Sequence, residues 1–154
     1  MNRYAHVLLA SHGTPGARAA EQLALELADS GAQLTQLVVV PDFWKGMMGD
    51  DWLNNASTRD VYARHVESEL QREIDENVAR VDAQAKALGL RFAHRVVLGK
   101  PAQCLVRFAA EIAPDLVVIG SPRPPSARGL SSRMQLEALV RGLGAPLLVA
   151  PYPQ

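Results

Sequence analysis

Three kinds of side chain in this sequence could do chemistry. His12 stands in Ser11-His12-Gly13-Thr14, just where a short apolar run gives out. An imidazole presented at such a place can hold a metal or carry a proton or a phosphoryl group. Arg123, Arg128 and Arg133 put three permanent positive charges into one short segment, and guanidinium forks suit phosphate and carboxylate oxygens. Cys104 follows Lys100-Pro101 at what reads as a helix start, a setting that can activate a thiol. Each has a plainer reading. A single histidine at a strand end is commonly a hydrogen-bonded structural residue, and exposed arginines commonly pair with surface acids. Cys104 has no histidine or second cysteine near it in sequence and reads as a small side chain half-packed on its helix. His6, His65 and His94 form no ligand-spaced pair, and Asp50-Asp51 is too slight for a metal site. The pattern holds no nucleophile–base–orienter set and no paired carboxylates. The expectation is a protein that binds rather than catalyses, with no catalytic residue, no metal and no resident cofactor.

The bulk composition narrows the class. The chain has 154 residues, the size of one domain, with 48% hydrophobic and 21% charged residues. Sixteen basic residues balance sixteen acidic ones, so nucleic acid is not an expected partner. One cysteine cannot close an intrachain disulfide, and a reducing compartment fits. No apolar run approaches the ~20 residues of a membrane helix, and the first thirteen residues lack the parts of a signal peptide. A cytoplasmic protein without a membrane contact is expected.

Residues 5–11 form a short apolar run and read as a strand buried on both faces. Thr14-Pro15 opens a helix, Thr14 capping and Pro15 at the first helical position, and Ala20, Leu23, Ala24 and Leu27 continue it to Gly31. Residues 33–40 are a second strand. Val61, Val66, Leu70, Ile74, Val78, Val81, Ala85 and Leu88 mark one long amphipathic helix closed by Gly89. Its outer face offers Arg72–Glu76, Glu76–Arg80 and Asp82–Lys86 pairs, each worth a few tenths of a kcal/mol. A strand at 91–98, a helix at 102–113 after Pro101, a strand at 115–120, a helix at 134–143 and a last strand at Pro146–Ala150 complete the chain.

This alternation predicts a single α/β domain, a three-layer sandwich whose parallel sheet is covered by helices on both faces. Ligands of such sheets bind beyond the carboxyl ends of the strands. The candidate crevice is therefore Ser11, His12, Gly13, Val39, Val40, Gly120, Ser121, Arg123 and Arg133. The segment Asp42–Ala56 carries Phe43, Trp44, Met47, Met48 and Trp52. It reads either as a lid or docking surface for a protein partner, or as side chains folded back on the sheet edge or second helix.

Three stretches carry a family likeness: Val97-Leu98-Gly99-Lys100-Pro101-Ala102, Asp115-Leu116-Val117-Val118-Ile119-Gly120-Ser121, and Gly144-Ala145-Pro146-Leu147-Leu148-Val149-Ala150-Pro151. In order and spacing they resemble the universal stress protein family. The resemblance implies a five-stranded sheet in the order 3-2-1-4-5 and a role in stress response or regulation. It also implies a homodimer formed through the last strand, Pro146–Ala150, which removes an unpaired sheet edge.

Members of that family that bind ATP carry G-x2-G-x9-G-[ST] after the fourth strand, where bare backbone and free N–H groups meet the phosphates. Set on this sequence, Gly120 keeps the first glycine, while Arg123, Arg133 and Met134 replace the other three positions. Pro122, Pro124 and Pro125 each remove a donor from the loop, and the family's aspartate after the first strand falls on His12. Family-type ATP binding is therefore disfavoured. The alternative is a sensor that holds another phosphorylated or anionic metabolite, or a nucleotide in an altered mode, on arginine side chains. A more remote one rests on Leu8-Leu9-Ala10-Ser11-His12-Gly13-Thr14, which is locally similar to class II tetrapyrrole chelatases and would make His12 a metal-handling residue. The likeness to the R-H-G of histidine phosphatases is poorer, because Ser11 replaces the arginine.

Overall fold

The computed structural model describes residues 4–10, 15–40, 56–120 and 136–151. In chain order the elements are β1 (Tyr4–Ala10), α1 (Pro15–Leu27), β2 (Ala28–Val40), α2 (Ala56–Ala87), β3 (Arg91–Leu98), α3 (Pro101–Ile112), β4 (Leu116–Gly120), α4 (Leu136–Gly142) and β5 (Leu147–Ala150). The strands form one five-stranded sheet ordered β3-β2-β1-β4-β5, and every pairing is parallel. This is the α/β architecture and strand order expected above.

The central strands are apolar on both faces because helices lie on both. Val7 and Leu9 of β1, Leu34 of β2, and Leu116 and Val118 of β4 join Ala20, Ala24 and Leu25 of α1 and Val81 and Ala85 of α2 in one core. Leu8, Ala10, Leu37, Val39, Val117 and Ile119 face the other way, against Ala102, Leu105, Phe108 and Ala109 of α3 and Leu139 of α4. The two-residue period of a strand thus divides the interior into two cores.

Both prolines assigned to helix starts are there: Pro15 is the first residue of α1 and Pro101 of α3. Helix α1 ends earlier than Gly31. The chain becomes extended at Ala28, and the Asp29 carboxylate accepts the Ser30 N–H at 2.9 Å, a local bond that competes with continued helix. Gly31, at φ +75°, lies where five residues of β2 advance against two of β1, between the pairs Tyr4↔Ala28 and His6↔Gln33. It serves an irregular strand entry rather than a helix cap.

The two sheet edges differ. The β3 edge is an unbroken eight-residue strand with Arg91, His94 and Arg95 exposed. The β5 edge has four residues and no charge, and Leu147, Leu148 and Val149 are half-buried. No helix among the described residues is long and apolar enough to cross a membrane.

Candidate functional site

The site is set by the point where the chain changes direction. After β1 it turns to one face of the sheet, where α1 packs; after β4 it leads to α4, whose Leu139 packs on the opposite face. Strands β1 and β4 are neighbours, with Ala10 opposite Ile119. The two connections therefore part company over Ala10 and Gly120, and this is where sheets of this kind open a crevice. Ala10 and Ile119 are buried floor, and Gly120 is half-exposed at the rim. On the other side of β1, buried Val39 packs in the α3 core and Val40 ends β2, paired with Leu98. Val39, Val40 and Gly120 thus all stand at the carboxyl edge of the sheet. Ser11, His12, Gly13, Ser121, Arg123, Arg128, Arg133 and Met134 lie outside the described residues, and so does the segment 42–55 with both tryptophans.

Lys100 and Cys104 also sit at the carboxyl edge, but beyond β3, two strands away from β1. Lys100 caps α3 in an extended conformation without a side-chain bond. Cys104 is half-buried and free, and its N–H donates to the Lys100 carbonyl at 3.0 Å. Gly99 has φ +150°, and a Cβ built there would stand 2.9 Å from Cys104 Sγ. The thiol therefore fills space that a side chain at position 99 would take. Among the described residues no group of three or more His, Cys, Asp or Glu could hold a metal.

Two polar arrangements escaped the sequence reading. At the amino edge of the sheet, the His6 N–H donates to Asp115 Oδ2 at 3.0 Å, while the Asp115 N–H donates to the His6 carbonyl at 2.8 Å. His6 Nε2 lies 3.0 Å from Thr35 Oγ1. Burial lowers the His6 pKa below its ordinary value; Asp115 opposes this shift and Arg91 adds to it. Between α1 and α2, Arg80 Nη2 donates to Glu21 Oε2 at 2.8 Å and also to Asn77 Oδ1. The sequence placed Arg80 on the solvated face with Glu76; it turns inward because Glu21 is buried on the facing helix. The Asp82–Lys86 pair forms as foreseen, at 3.2 Å. The signal available was Asn77, a polar residue four positions before Val81 on the inward stripe.

Residues 3–151 match the Universal stress protein family. The chain is similar to the solved structure of the hypothetical protein MJ0577, at 13% identity, 99% coverage of each chain and a TM-score of 0.76. It is 26% identical to a protein of the universal stress protein family from Burkholderia pseudomallei, with 95% of each chain covered and a TM-score of 0.64. It is also similar to a universal stress protein family protein from Arabidopsis thaliana with AMP bound, at 14% identity, covering 96% of this chain and 92% of that one, with a TM-score of 0.61. No curated protein matches. With the family match running from β1 to past β5, and the sheet order to go with it, the chain belongs to the universal stress protein family.

Proposed function

We propose that this protein is a stress-response binding protein that acts without catalysis, and that its crevice does not take ATP in the G-x2-G-x9-G-[ST] manner. One observation carries the reading. The strand exit at Gly120 is kept at the rim of the crevice, but the next three motif positions are Arg123, Arg133 and Met134. A phosphate cradle needs bare backbone and free amides; two arginine side chains and three intervening prolines, Pro122, Pro124 and Pro125, work against both. Thermal unfolding in millimolar ATP tests it. An unchanged melting temperature is expected, and a clear rise with saturable calorimetric binding would overturn the reading.

The output of such a protein is a contact with another chain. The aromatic and methionine content of Asp42–Ala56 suits a partner surface. Homodimerisation through β5 is favoured by the contrast between the edges: the charged side chains of Arg91 and Arg95 guard β3, whereas β5 carries none. Leu136 and Val140 of α4, one turn apart, are further exposed apolar side chains.

A second reading is favoured by the AMP-bound relative, whose ligand has a single phosphate. Here the crevice over Ala10 and Gly120 would hold a monophosphate or another anionic metabolite, gripped by Arg123 and Arg133 in place of backbone amides. Calorimetry with AMP separates the two readings. Binding lost in Arg123→Ala/Arg133→Ala supports the sensor, and no binding to the parent protein supports the partner role alone.

A further inference from the structure

The β3 edge of the sheet is long and regular. All eight residues of β3 pair one to one with β2, without a register shift, and neither proline nor glycine interrupts them. Edges that avoid further pairing are usually short, bulged, proline-containing or covered. Among the described residues no strand pairs with the outer side of β3, and Arg91, Ala93, His94, Arg95 and Val96 are exposed.

The ladders fix which backbone groups face outward. The Val117 N–H donates to the Pro146 carbonyl beside β5, and backbone groups alternate in direction along a parallel strand. Val118 therefore faces β1. The alternation carries through the registers Leu9↔Val118, Val7↔Leu34 and Leu34↔Phe92. It turns Arg91, Ala93 and Arg95 toward β2, and Phe92, His94 and Val96 outward. The outward N–H and C=O groups of these three residues repeat about every 6.6 Å and stand open to a further strand.

The side chains select its chemistry. The chain as a whole is neutral, yet residues 91–100 contain Arg91, Arg95 and Lys100 and no acid. Arg95 lies over the Phe108 ring of α3, 4.6 Å from its centroid, and Arg91 shares that face through the two-residue period of a strand. Arg107 is exposed on the same side of α3, between Cys104, which lies against Gly99, and Glu111, which pairs with Arg95. Both partners of the Arg95–Glu111 pair are exposed, so another carboxylate can replace Glu111 at little cost. The opposite face of β3 carries no permanent charge: Phe92 and His94 are stacked, and Val96 is 39% exposed.

We propose that the β3 edge is a docking site for an extended acidic segment of another protein, which adds to the sheet as a further strand. Its carboxylates meet Arg91 and Arg95 on the α3 face, and its alternate, apolar residues lie beside Phe92, His94 and Val96. A second copy of this chain is a poor occupant, because two β3 edges paired about Ala93 set Arg91 opposite Arg95. A peptide strand, unlike a nucleic acid, satisfies the outward N–H and C=O groups together. The surface lies at the opposite edge of the sheet from β5, and it does not depend on what the crevice holds.

Amide exchange and chemical shifts of the full chain test the proposal. In the free protein the Phe92, His94 and Val96 amides should exchange faster than those of Ala93, Arg95 and Val97. Outward amides that are already protected would show the edge taken by the chain itself and overturn the proposal. The probe is an acetylated peptide of about nine residues, enough to span β3, alternating glutamate with valine or threonine. At saturation it should slow exchange at the three outward amides; no binding, or shifts confined to other elements, would overturn the proposal. Equal binding by the same peptide with lysine for glutamate, or by single-stranded oligothymidylate at the same residues, would also overturn it. Arg91→Gln with Arg95→Gln should weaken peptide binding about five-fold, and an unchanged affinity would remove the acidic partner. Should that double variant not fold, the lysine peptide tests the same charge preference on the parent protein.

Discussion

Arg80 on α2 reaches Glu21 on α1 at 2.8 Å, and the carboxylate it meets is 2% exposed. The guanidinium is therefore the visible counter-charge of a carboxylate held almost out of water. Removing it while the carboxylate stays should cost far more than losing a surface pair. Arg80→Met is expected to lower unfolding free energy by about 2–4 kcal/mol in urea titrations, and Arg80→Met with Glu21→Leu should regain most of it. A loss within the ~0.5 kcal/mol typical of exposed pairs would contradict this account.

Gly99 answers to a different constraint. Its φ of +150° excludes most side chains, and Cys104 Sγ occupies the space where a Cβ would stand. Gly99→Ala should destabilise by about 1–3 kcal/mol. Adding Cys104→Ala removes the collision but not the backbone strain, so stability should return only in part. Full return would assign the whole effect to the thiol.

The acid limb of stability should report His6. Its imidazole is harder to protonate folded than unfolded, chiefly through burial. When the folded pKa lies below the unfolded one, the unfolded chain binds the extra proton first. Stability should therefore fall as pH drops from about 7 through the unfolded value of ~6.5, then level off below the folded pKa. His6→Gln should flatten this part of the profile in melting experiments between pH 7.5 and 5. An equally steep fall in the variant would place the effect elsewhere.

The proposed homodimer can be probed on the backbone of β5. The Val117 N–H donates to the Pro146 carbonyl, and parallel ladders alternate, so the backbone groups of Leu147 and Val149 point to the free edge. Proline is tolerated on such an edge and removes one outward donor. Val149→Pro should therefore shift sedimentation from dimer toward monomer while the far-UV spectrum is kept. An unchanged dimer would move the interface away from this strand.

The sheet was legible because its signals are local. A continuous apolar run such as 116–119 suits only a strand covered on both faces, and Pro101 marks a helix start wherever it folds. The same logic put Val39, Val40 and Gly120 at strand ends, whereas Ala10 and Ile119, the buried floor of the crevice, were not singled out in the sequence. What failed to show were meetings between distant residues. Nothing near Arg80 in sequence points to Glu21, fifty-nine positions earlier, and nothing near His6 points to Asp115. The true end of α1 was missed because Gly31 is a stronger helix-stop signal than the Asp29–Ser30 contact that stands where the helix ends.

The doubled bond between His6 and Asp115 bears on how β1 finds its place. From Val7 to Ala10 every residue is buried, so a slide by one residue would trade one set of aliphatic side chains for another. Hydrophobicity is then a weak guide to alignment. The polar contacts at the strand's amino end are different, because displacement breaks two main-chain bonds to Asp115 and the imidazole contact to Thr35 together. They act as an index mark at the middle of the sheet, from which the outer strands take their alignment.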